Sequence, residues 1–472
     1  MIFPEVRTCN VRWRVDQLEI GSISYLTYNL LLLLLSPVLL LLIAQRYFGG
    51  KSRDGWHERT GHLPDQLLHR SDSAPRIWVH AVSAGEVVAA VPILKALKDR
   101  LPNYDLVLSV TTPAGREMAQ QQASKYTAGI FYSPFDLFWI VNRVVRDIKP
   151  VAYVSLESEL WPNLLHSLVR DGAATVMVNG RISDRSYRRI QRFASGLYRW
   201  MLSNVQRLLV QGDADAERLK SLIAGGNTAK VQVIGNSKFD QDVPALTADQ
   251  VAHLRKSLHL PNVAPVIVAG STRSAEEEQI VISAYRRLRE SFPDLCLIVA
   301  PRQLDRAEEL SRAMSAVGFE CSRRTQLETA PETVRQLILD TMGELANVYA
   351  VADVAFVGNS FEPVVKGGGQ NLLQPLAHGK PVLFGPRIAT IRSEADLAKE
   401  HGVGFQVLTE DALVETAAEL LRSTELRTDI SVRALRLIEN NRGVSGRYAD
   451  EIVNCIGNRT VTNGQSSGST HG

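Results

Sequence analysis

Cysteine is scarce in this sequence, and the short motifs that mark the commonest enzyme classes are missing. The four cysteines, Cys9, Cys296, Cys321 and Cys455, form neither a CxxC pair nor a Cys/His cluster. A zinc site is therefore not expected, and a reducing compartment is favoured. No GxGxxG follows the first strand, no GxxxxGK precedes a Ser or Thr, and no HExxH occurs. The usual dinucleotide fingerprint, the P-loop and the helical zinc-protease motif are excluded. An excess of one charge is also lacking: 53 Lys+Arg face 50 Asp+Glu, a formal +3. Nothing global argues for nucleic acid. No solenoid-length repeat appears.

Apolar residues are abundant. They make up 45% of 472 residues, enough for a sizeable interior and too long a chain for one ordinary core. Residues 23–44, ISYLTYNLLLLLLSPVLLLLIA, carry no charge. A bilayer core needs about 20 apolar residues in a helix, and Pro37 can be accommodated in one. The following QRYFGG is a poor signal-peptidase site. The expectation is an N-terminal extension over 1–22 and an uncleaved transmembrane anchor over 23–44. Arg46, Lys51, Arg53 and Arg59 outweigh Arg7, Arg12 and Arg14, which have Asp16 and Glu19 nearby. The positive-inside rule then puts the bulk of the chain in the cytoplasm.

Beyond the anchor, short β-branched apolar runs alternate with amphipathic helices. Ile77–Val82, Asp105–Val110, Gly129–Tyr132, Val151–Leu156, Thr175–Val178, Arg207–Val210 and Val231–Ile234 read as strands. After a polar linker over 238–250 the pattern restarts with Val266–Ala269, Leu295–Ala300, Gln336–Leu339, Val354–Val357 and Pro381–Phe384. Runs of this kind are parallel strands buried on both faces. The fold class is α/β, with two doubly wound, Rossmann-like domains over 52–237 and 251–425. A closing helix is expected over 426–458, and a disordered tail over 459–472.

Candidate chemistry gathers where strands hand over to helices. Ser83-Ala84-Gly85-Glu86 sets a lone carboxylate on a first helical turn, as a base or as a partner of the helix dipole. Glu157-Ser158-Glu159-Leu160-Trp161-Pro162-Asn163 follows another strand. Its two acids can shift each other's proton affinity or merely complement a helix start, with Trp161 as a core anchor. Lys238, in GNSKFD, suits a phosphate or carboxylate, or is a solvated linker lysine. Pro301-Arg302 and Met342-Gly343-Glu344 end strands of the second half, and Arg302 can meet an anion there. Gly-Gly-Gly-Gln370-Asn371-Leu372-Leu373-Gln374 opens a short helix whose N–H groups read as a phosphate cradle. The basic run Arg181–Phe193 is a solvated helix face or a surface for anionic lipid.

In order along the chain, HAVSAGE, ESELWPN, VNGRISDRS, GNSKFD, AGSTRSAEEE, APR, DTMGEL and GGGQNLLQPLAHGKPVLFGP make the sequence resemble the 3-deoxy-D-manno-octulosonic acid (Kdo) transferases of lipopolysaccharide synthesis. The resemblance runs from the anchor to about residue 425. It implies a GT-B fold, an N-terminal transmembrane helix and residence on the cytoplasmic face of the bacterial inner membrane. It implies inverting transfer of Kdo from CMP-Kdo to a lipid A precursor (lipid IVA), with no cofactor and no bound metal. Partners would be CMP-Kdo, the lipid A precursor and membrane lipids, and no nucleic acid. Glu86 matches the general base, kept ionised at its helix end. Glu157 and Lys238 match transition-state stabilisers. Pro301, Arg302, Met342, Gly343, Glu344, Asn371, Leu372, Leu373 and Gln374 match the CMP-binding positions. The sequence departs from the family in Gln370 for a histidine, Gln374 for a glutamate, Ala114 for a threonine and Ser237 for a leucine. The alternatives are a related GT-B transferase with another nucleotide sugar and lipid acceptor, and a membrane-anchored binding protein on the same frame.

Overall fold

The structure is a computed structural model that describes residues 25–35, 55–68, 74–223, 226–361 and 368–465. Two compact units emerge, one of residues 1–241 and 443–472, the other of 242–442. Among the described residues, each holds a seven-stranded sheet in which every pairing is parallel.

The first sheet contains β1 (Arg76–His80), β2 (Asp105–Val110), β3 (Gly129–Tyr132), β4 (Pro150–Leu156), β5 (Ala174–Gly180), β6 (Arg207–Val210) and β7 (Val231–Val233), in the order β3-β2-β1-β4-β5-β6-β7. The second contains β8 (Val266–Thr272), β9 (Cys296–Pro301), β10 (Ser322–Arg323), β11 (Gln336–Ile338), β12 (Val354–Val357), β13 (Val382–Phe384) and β14 (Gly404–Gln406), ordered β10-β11-β9-β8-β12-β13-β14. The strands read from the sequence are all present, with ends shifted by a few residues. The short edge strands β10 and β14 were not foreseen, because two or three residues carry no period. Each order reverses once, between β1 and β4 and between β8 and β12. Ligands of open α/β sheets bind outside the carboxyl ends of the strands at such a point.

The helices used below are α1 (Ala84–Arg100), α2 (Pro162–Arg170), α3 (Asp184–Phe193), α4 (Ala275–Ser291), α5 (Leu373–Ala377), α6 (Thr424–Asn440) and α7 (Val444–Gln465). Alternate residues of β1 feed two cores. Ile77 and Val79 join Val87, Ile93 and Leu94 of α1, with Tyr448 and Ile452 of α7. Trp78 joins Val107, Phe131, Tyr153 and Leu165 on the other face. Each such large side chain gains about 1.5–3 kcal/mol from burial.

Three expectations about the segments after the first sheet change. The closing helix over 426–458 is two helices, α6 and α7, broken at Gly443, whose φ of 78° ends a helix readily. The expected disordered tail is helical to Gln465, and 466–472 lie outside the described residues. The start of the expected linker over 238–250 belongs to a 3-10 turn, Ser237–Asp240, with Phe239 buried in the first unit.

The expected transmembrane helix is not found: no helix among the described residues is long and apolar enough to cross a membrane. Residues 25–35 are helical, while 1–22 and 36–44 lie outside the described residues. The helical piece docks through polar and aromatic contacts. Tyr28 Oη donates to Asp136 Oδ2 at 2.9 Å, and the Tyr25 ring stacks on His166 and Trp200. Leu26, Leu30, Leu31, Leu33, Leu34 and Leu35 remain exposed.

Candidate active site

In the first unit the reversal point lies between the loops that leave β1 and β4. Past β1, Ser83 caps α1, its hydroxyl accepting from the Glu86 N–H at 3.4 Å. The Glu86 carboxylate turns back over the same turn. Oε2 accepts from the Val82 N–H at 2.8 Å, and Oε1 from the Ser83 hydroxyl at 3.1 Å. This is the reciprocal arrangement that a Ser-x-x-Glu spacing produces, moved one residue upstream. Glu86 is only 8% exposed.

The expectation that the helix end keeps Glu86 ionised is corrected. Burial pushes its carboxyl up to about 8, with Glu157 and Glu159 adding to the rise, and the two hydrogen bonds only partly oppose it. Desolvation wins because a carboxylate in a dry site loses more hydration than two donors return. His80, at the head of the same motif, is buried completely. Its Nδ1 lies 2.8 Å from Ser109 Oγ, which also accepts from Trp78 Nε1. Burial depresses its pKa to about 4, so it is a neutral core ring.

Past β4, Glu157 adopts a left-handed backbone, φ 54°, which costs a non-glycine residue about 1–3 kcal/mol. Its N–H is fixed to the Val178 carbonyl at 3.0 Å. Glu159, also raised by burial and by Glu157, lies two residues on. Helix α2 starts at Pro162 as the sequence indicates, but its cap comes from elsewhere. Asp136 accepts from the Asn163 and Leu164 N–H groups at 3.0 and 2.9 Å. Trp161 is 38% exposed and is not the core anchor considered above. Lys238 sits on the turn after β7, half-buried. Neighbouring Ser237, one of the departures from the family, donates to the Ala89 carbonyl of α1 at 2.9 Å and binds Asn179 Oδ1 through its N–H. Glu86, Glu157 and Lys238 therefore share one sheet edge.

In the second unit the remaining candidates follow consecutive strand ends. Pro301 closes β9 and is buried. The Arg302 side chain is exposed, and its N–H holds the Thr272 carbonyl at 2.7 Å. After β11, Met342 is exposed and Gly343 takes a φ of 84°. Glu344 is held by Arg324 in a two-pronged pair at 3.1 and 3.2 Å, and by the Thr341 hydroxyl at 2.6 Å. Leu372 and Leu373 are buried, so only their backbones can meet a ligand. Gln374 is half-buried.

The glycine-rich cradle is narrower than its sequence suggests. The Gly368 and Gly369 N–H groups both donate to the Asn359 carbonyl, and the Leu373 N–H to Asn371 Oδ1. Lys366 and Gly367 lie outside the described residues. Helix α5 spans only five residues, too few for a strong dipole.

One residue of the AGSTRSAEEE motif has a role that the sequence did not assign. Glu277 of α4, fully buried, accepts from the N–H groups of Arg273, Asn359, Ser360 and Phe361 at 2.8–3.1 Å. It ties the loop after β8 to the loop after β12. The Ser274-x-x-Glu277 spacing was the available signal. Among the described residues, no group of three His, Cys, Asp or Glu side chains is placed to hold a metal ion.

Comparison with known proteins agrees with this layout. A family model described as 3-deoxy-D-manno-octulosonic-acid transferase (kdotransferase) matches residues 54–241. The 3-deoxy-D-manno-octulosonic acid transferase of Haemophilus influenzae is 31% identical over 379 residues, 79% of this chain and 86% of that protein. The protein of the same name from Chlamydia muridarum is 30% identical over 406 residues, 86% of this chain and 91% of its own. The crystal structure of a glycosyltransferase from Rickettsia africae superimposes with a TM-score of 0.54 at 13% identity, over 82% of this chain and 99% of that one. That likeness shows the fold alone, two parallel-sheet α/β units of the GT-B kind. With identity of this extent over most of both chains, the protein belongs to the Kdo transferase family and is a glycosyltransferase.

Proposed function

We propose that this enzyme transfers Kdo from CMP-Kdo to a lipid A precursor of the lipid IVA type, with inversion at the anomeric carbon and without a bound metal. The observation that carries the reading is Glu86, a carboxylate fixed by two hydrogen bonds at the reversal point of the first sheet, with a proton affinity near neutrality. A sugar hydroxyl attacks poorly until its proton is shared, and a base is most effective when its pKa lies near the working pH. Glu86 takes that proton as the new glycosidic bond forms and the bond from the anomeric carbon to the phosphate oxygen of CMP breaks. Glu157 and Lys238 stabilise the charge that develops. The second unit holds the nucleotide: Arg302 meets the phosphate, and Pro301, the Met342–Glu344 loop and the backbone of Asn371–Gln374 hold the rest. Residues 23–44 attach the enzyme to the inner membrane, with both units on the cytoplasmic side. The uncharged run and the exposed leucines of 25–35 support this attachment.

The test incubates the protein with CMP-Kdo and a tetraacylated lipid A precursor and weighs the product by mass spectrometry. Addition of Kdo, lost in Glu86→Ala with the fold retained, is the expected result. Full activity in that variant overturns the assignment of the base. Calorimetry with CMP and UDP addresses the donor: tighter binding of UDP would sink the CMP-Kdo reading in favour of another nucleotide sugar.

A further inference from the structure

Lys238 stands on a segment that is gripped from two sides. On one side are the α1 and β5 contacts of Ser237 described above. On the other is α7, which carries none of the motif residues. Arg447 Nη2 donates to the Ile234 carbonyl at 2.9 Å, and Tyr448 Oη to the Gly235 carbonyl at 2.6 Å. Gly235 has a φ of 116°, and a Cβ there would come within 2.9 Å of Val444 Cγ2, so this approach requires glycine. The third tie is Asp240. Its Oδ1 accepts from the Gly443 N–H at 2.7 Å and its Oδ2 from the Ser445 N–H at 2.5 Å. The carboxylate thus caps α7 at the positive end of a long helix, where two amides would otherwise lack intrahelical acceptors. It does so where the chain leaves the first unit after Gln241 and re-enters it at Gly443.

We propose that Asp240 is a positioning residue for Lys238. By fastening the Lys238 turn to α7 it makes the C-terminal helix part of the catalytic apparatus. The turn between them is short. Lys238 N–H is held by Asn236 Oδ1 at 3.0 Å, and its carbonyl accepts from the Gln241 N–H at 3.3 Å. A shift of Asp240 is therefore transmitted to Lys238 within one 3-10 turn. α7 is itself immobilised, because Tyr448, Ala449 and Ile452 are fully buried in the core shared with α1. The inference rests on the reading that Lys238 acts in sugar transfer.

Two measurements on the full chain test it. Hydrogen exchange by mass spectrometry is compared between the wild type and Asp240→Ala. At least tenfold faster exchange confined to 234–240 and 443–448 is expected. No acceleration there, or acceleration spread over the whole unit, overturns the proposal. Steady-state transfer from CMP-Kdo is then measured for Asp240→Ala, Lys238→Ala and the double variant. Asp240→Ala should lower kcat at least tenfold with KM for CMP-Kdo within twofold, and Asp240→Asn, which keeps one acceptor, should recover part of the loss. In the Lys238→Ala background the Asp240 change should cost less than twofold, since residues acting as a unit are not additive. Equal losses in both backgrounds overturn it. Absence of transfer by the wild type would overturn the functional reading, and the exchange measurement would still decide the clasp by itself.

Discussion

Glu86 and Glu277 hold the same place in their two units. Each is the third residue of a helix that follows the first strand of its sheet. Each has a capping serine three residues before it, and each carboxylate accepts from the N–H four residues upstream. They differ in what faces them across the reversal point. Glu277 meets three further backbone amides from the end of β12. Glu86 meets the fields of Glu157 and Glu159 beyond β4. One carboxylate is saturated with donors and serves the fold. The other is left short of donors and retains affinity for a proton.

Opposite outcomes are expected from the same substitution at the two sites. Glu277→Gln puts a donor among four amide donors and removes charge from several hydrogen bonds. The loss should be of order 3 kcal/mol, since hydrogen bonds to charged groups contribute roughly 1.5–3 kcal/mol each. That lowers the melting temperature of a unit of this size by about 6–12 °C. Glu86→Gln should melt within a few degrees of the wild type below about pH 4.5, where Glu86 is protonated in both the folded and the unfolded chain, while losing about 10²–10⁴-fold in kcat near pH 8. Differential scanning calorimetry and the transfer assay separate the two, and equal thermal losses would refute the distinction.

The pH dependence has a definite sign. Glu86 titrates near 8 in the folded chain against about 4.5 as a free carboxyl. A raised value in the fold gives stability that is complete below about pH 4.5 and lost as pH climbs through 8. The wild type should therefore lose melting temperature relative to Glu86→Gln across that window, with no further divergence above it. The rate, which needs the ionised form, should rise over the same window and level off above about pH 8. Glu159→Gln removes one of the charges that raise Glu86 and should move the rising limb to lower pH. An unmoved limb would show that Glu159 does not tune the base.

Arg324 should affect donor binding without touching the donor. It fixes Glu344 through both carboxylate oxygens. Arg324→Ala leaves Glu344 held only by the Thr341 hydroxyl among these contacts, and CMP affinity by calorimetry should fall about 3–10-fold, the worth of roughly 0.7–1.4 kcal/mol. Arg302→Ala, which removes the proposed phosphate partner, should cost more, about 10–100-fold. The reverse ranking would contradict the placement of the phosphate.

If helix α3 meets anionic lipid, its basic side chains should carry the binding. The helix has no buried residue, Arg185, Arg188, Arg189 and Arg192 are exposed, and Phe193 is 74% exposed at its end. Each basic side chain near an anionic membrane contributes about 1 kcal/mol. Replacing Arg188 and Arg189 with Glu should weaken binding to phosphatidylglycerol vesicles at least tenfold in a flotation assay. Unchanged binding would reduce this helix to an ordinary solvated face.

Much of the fold was legible because parallel strands buried on both faces must be short apolar runs, and Val354–Val357 or Arg207–Val210 can be read directly. The two-residue β10 has too little length to show a period, whereas the break at Gly443 was legible in the polar run Asn440-Asn441-Arg442-Gly443, a helix-ending signal that the single closing helix passed over. Glu86, Glu157 and Lys238 could be picked out as residues at strand ends. That they share the carboxyl edge follows from parallel strands, but which of them are neighbours could not be read, because β4 lies beside β1 and the turn after β7 is held against α1 only in the tertiary structure.

The sequence by itself determined the strands, the helix starts and the residue types that chemistry needs, since these follow from local periodicity and from Ser-x-x-Glu spacing. The tertiary structure alone decided which of two identically built capping carboxylates is left a proton acceptor. It also decided which glycine amides are already spent, and that a helix from the far end of the chain grips the turn of Lys238. Proton affinity and amide availability depend on desolvation and on partners distant in the chain, and no local pattern encodes either.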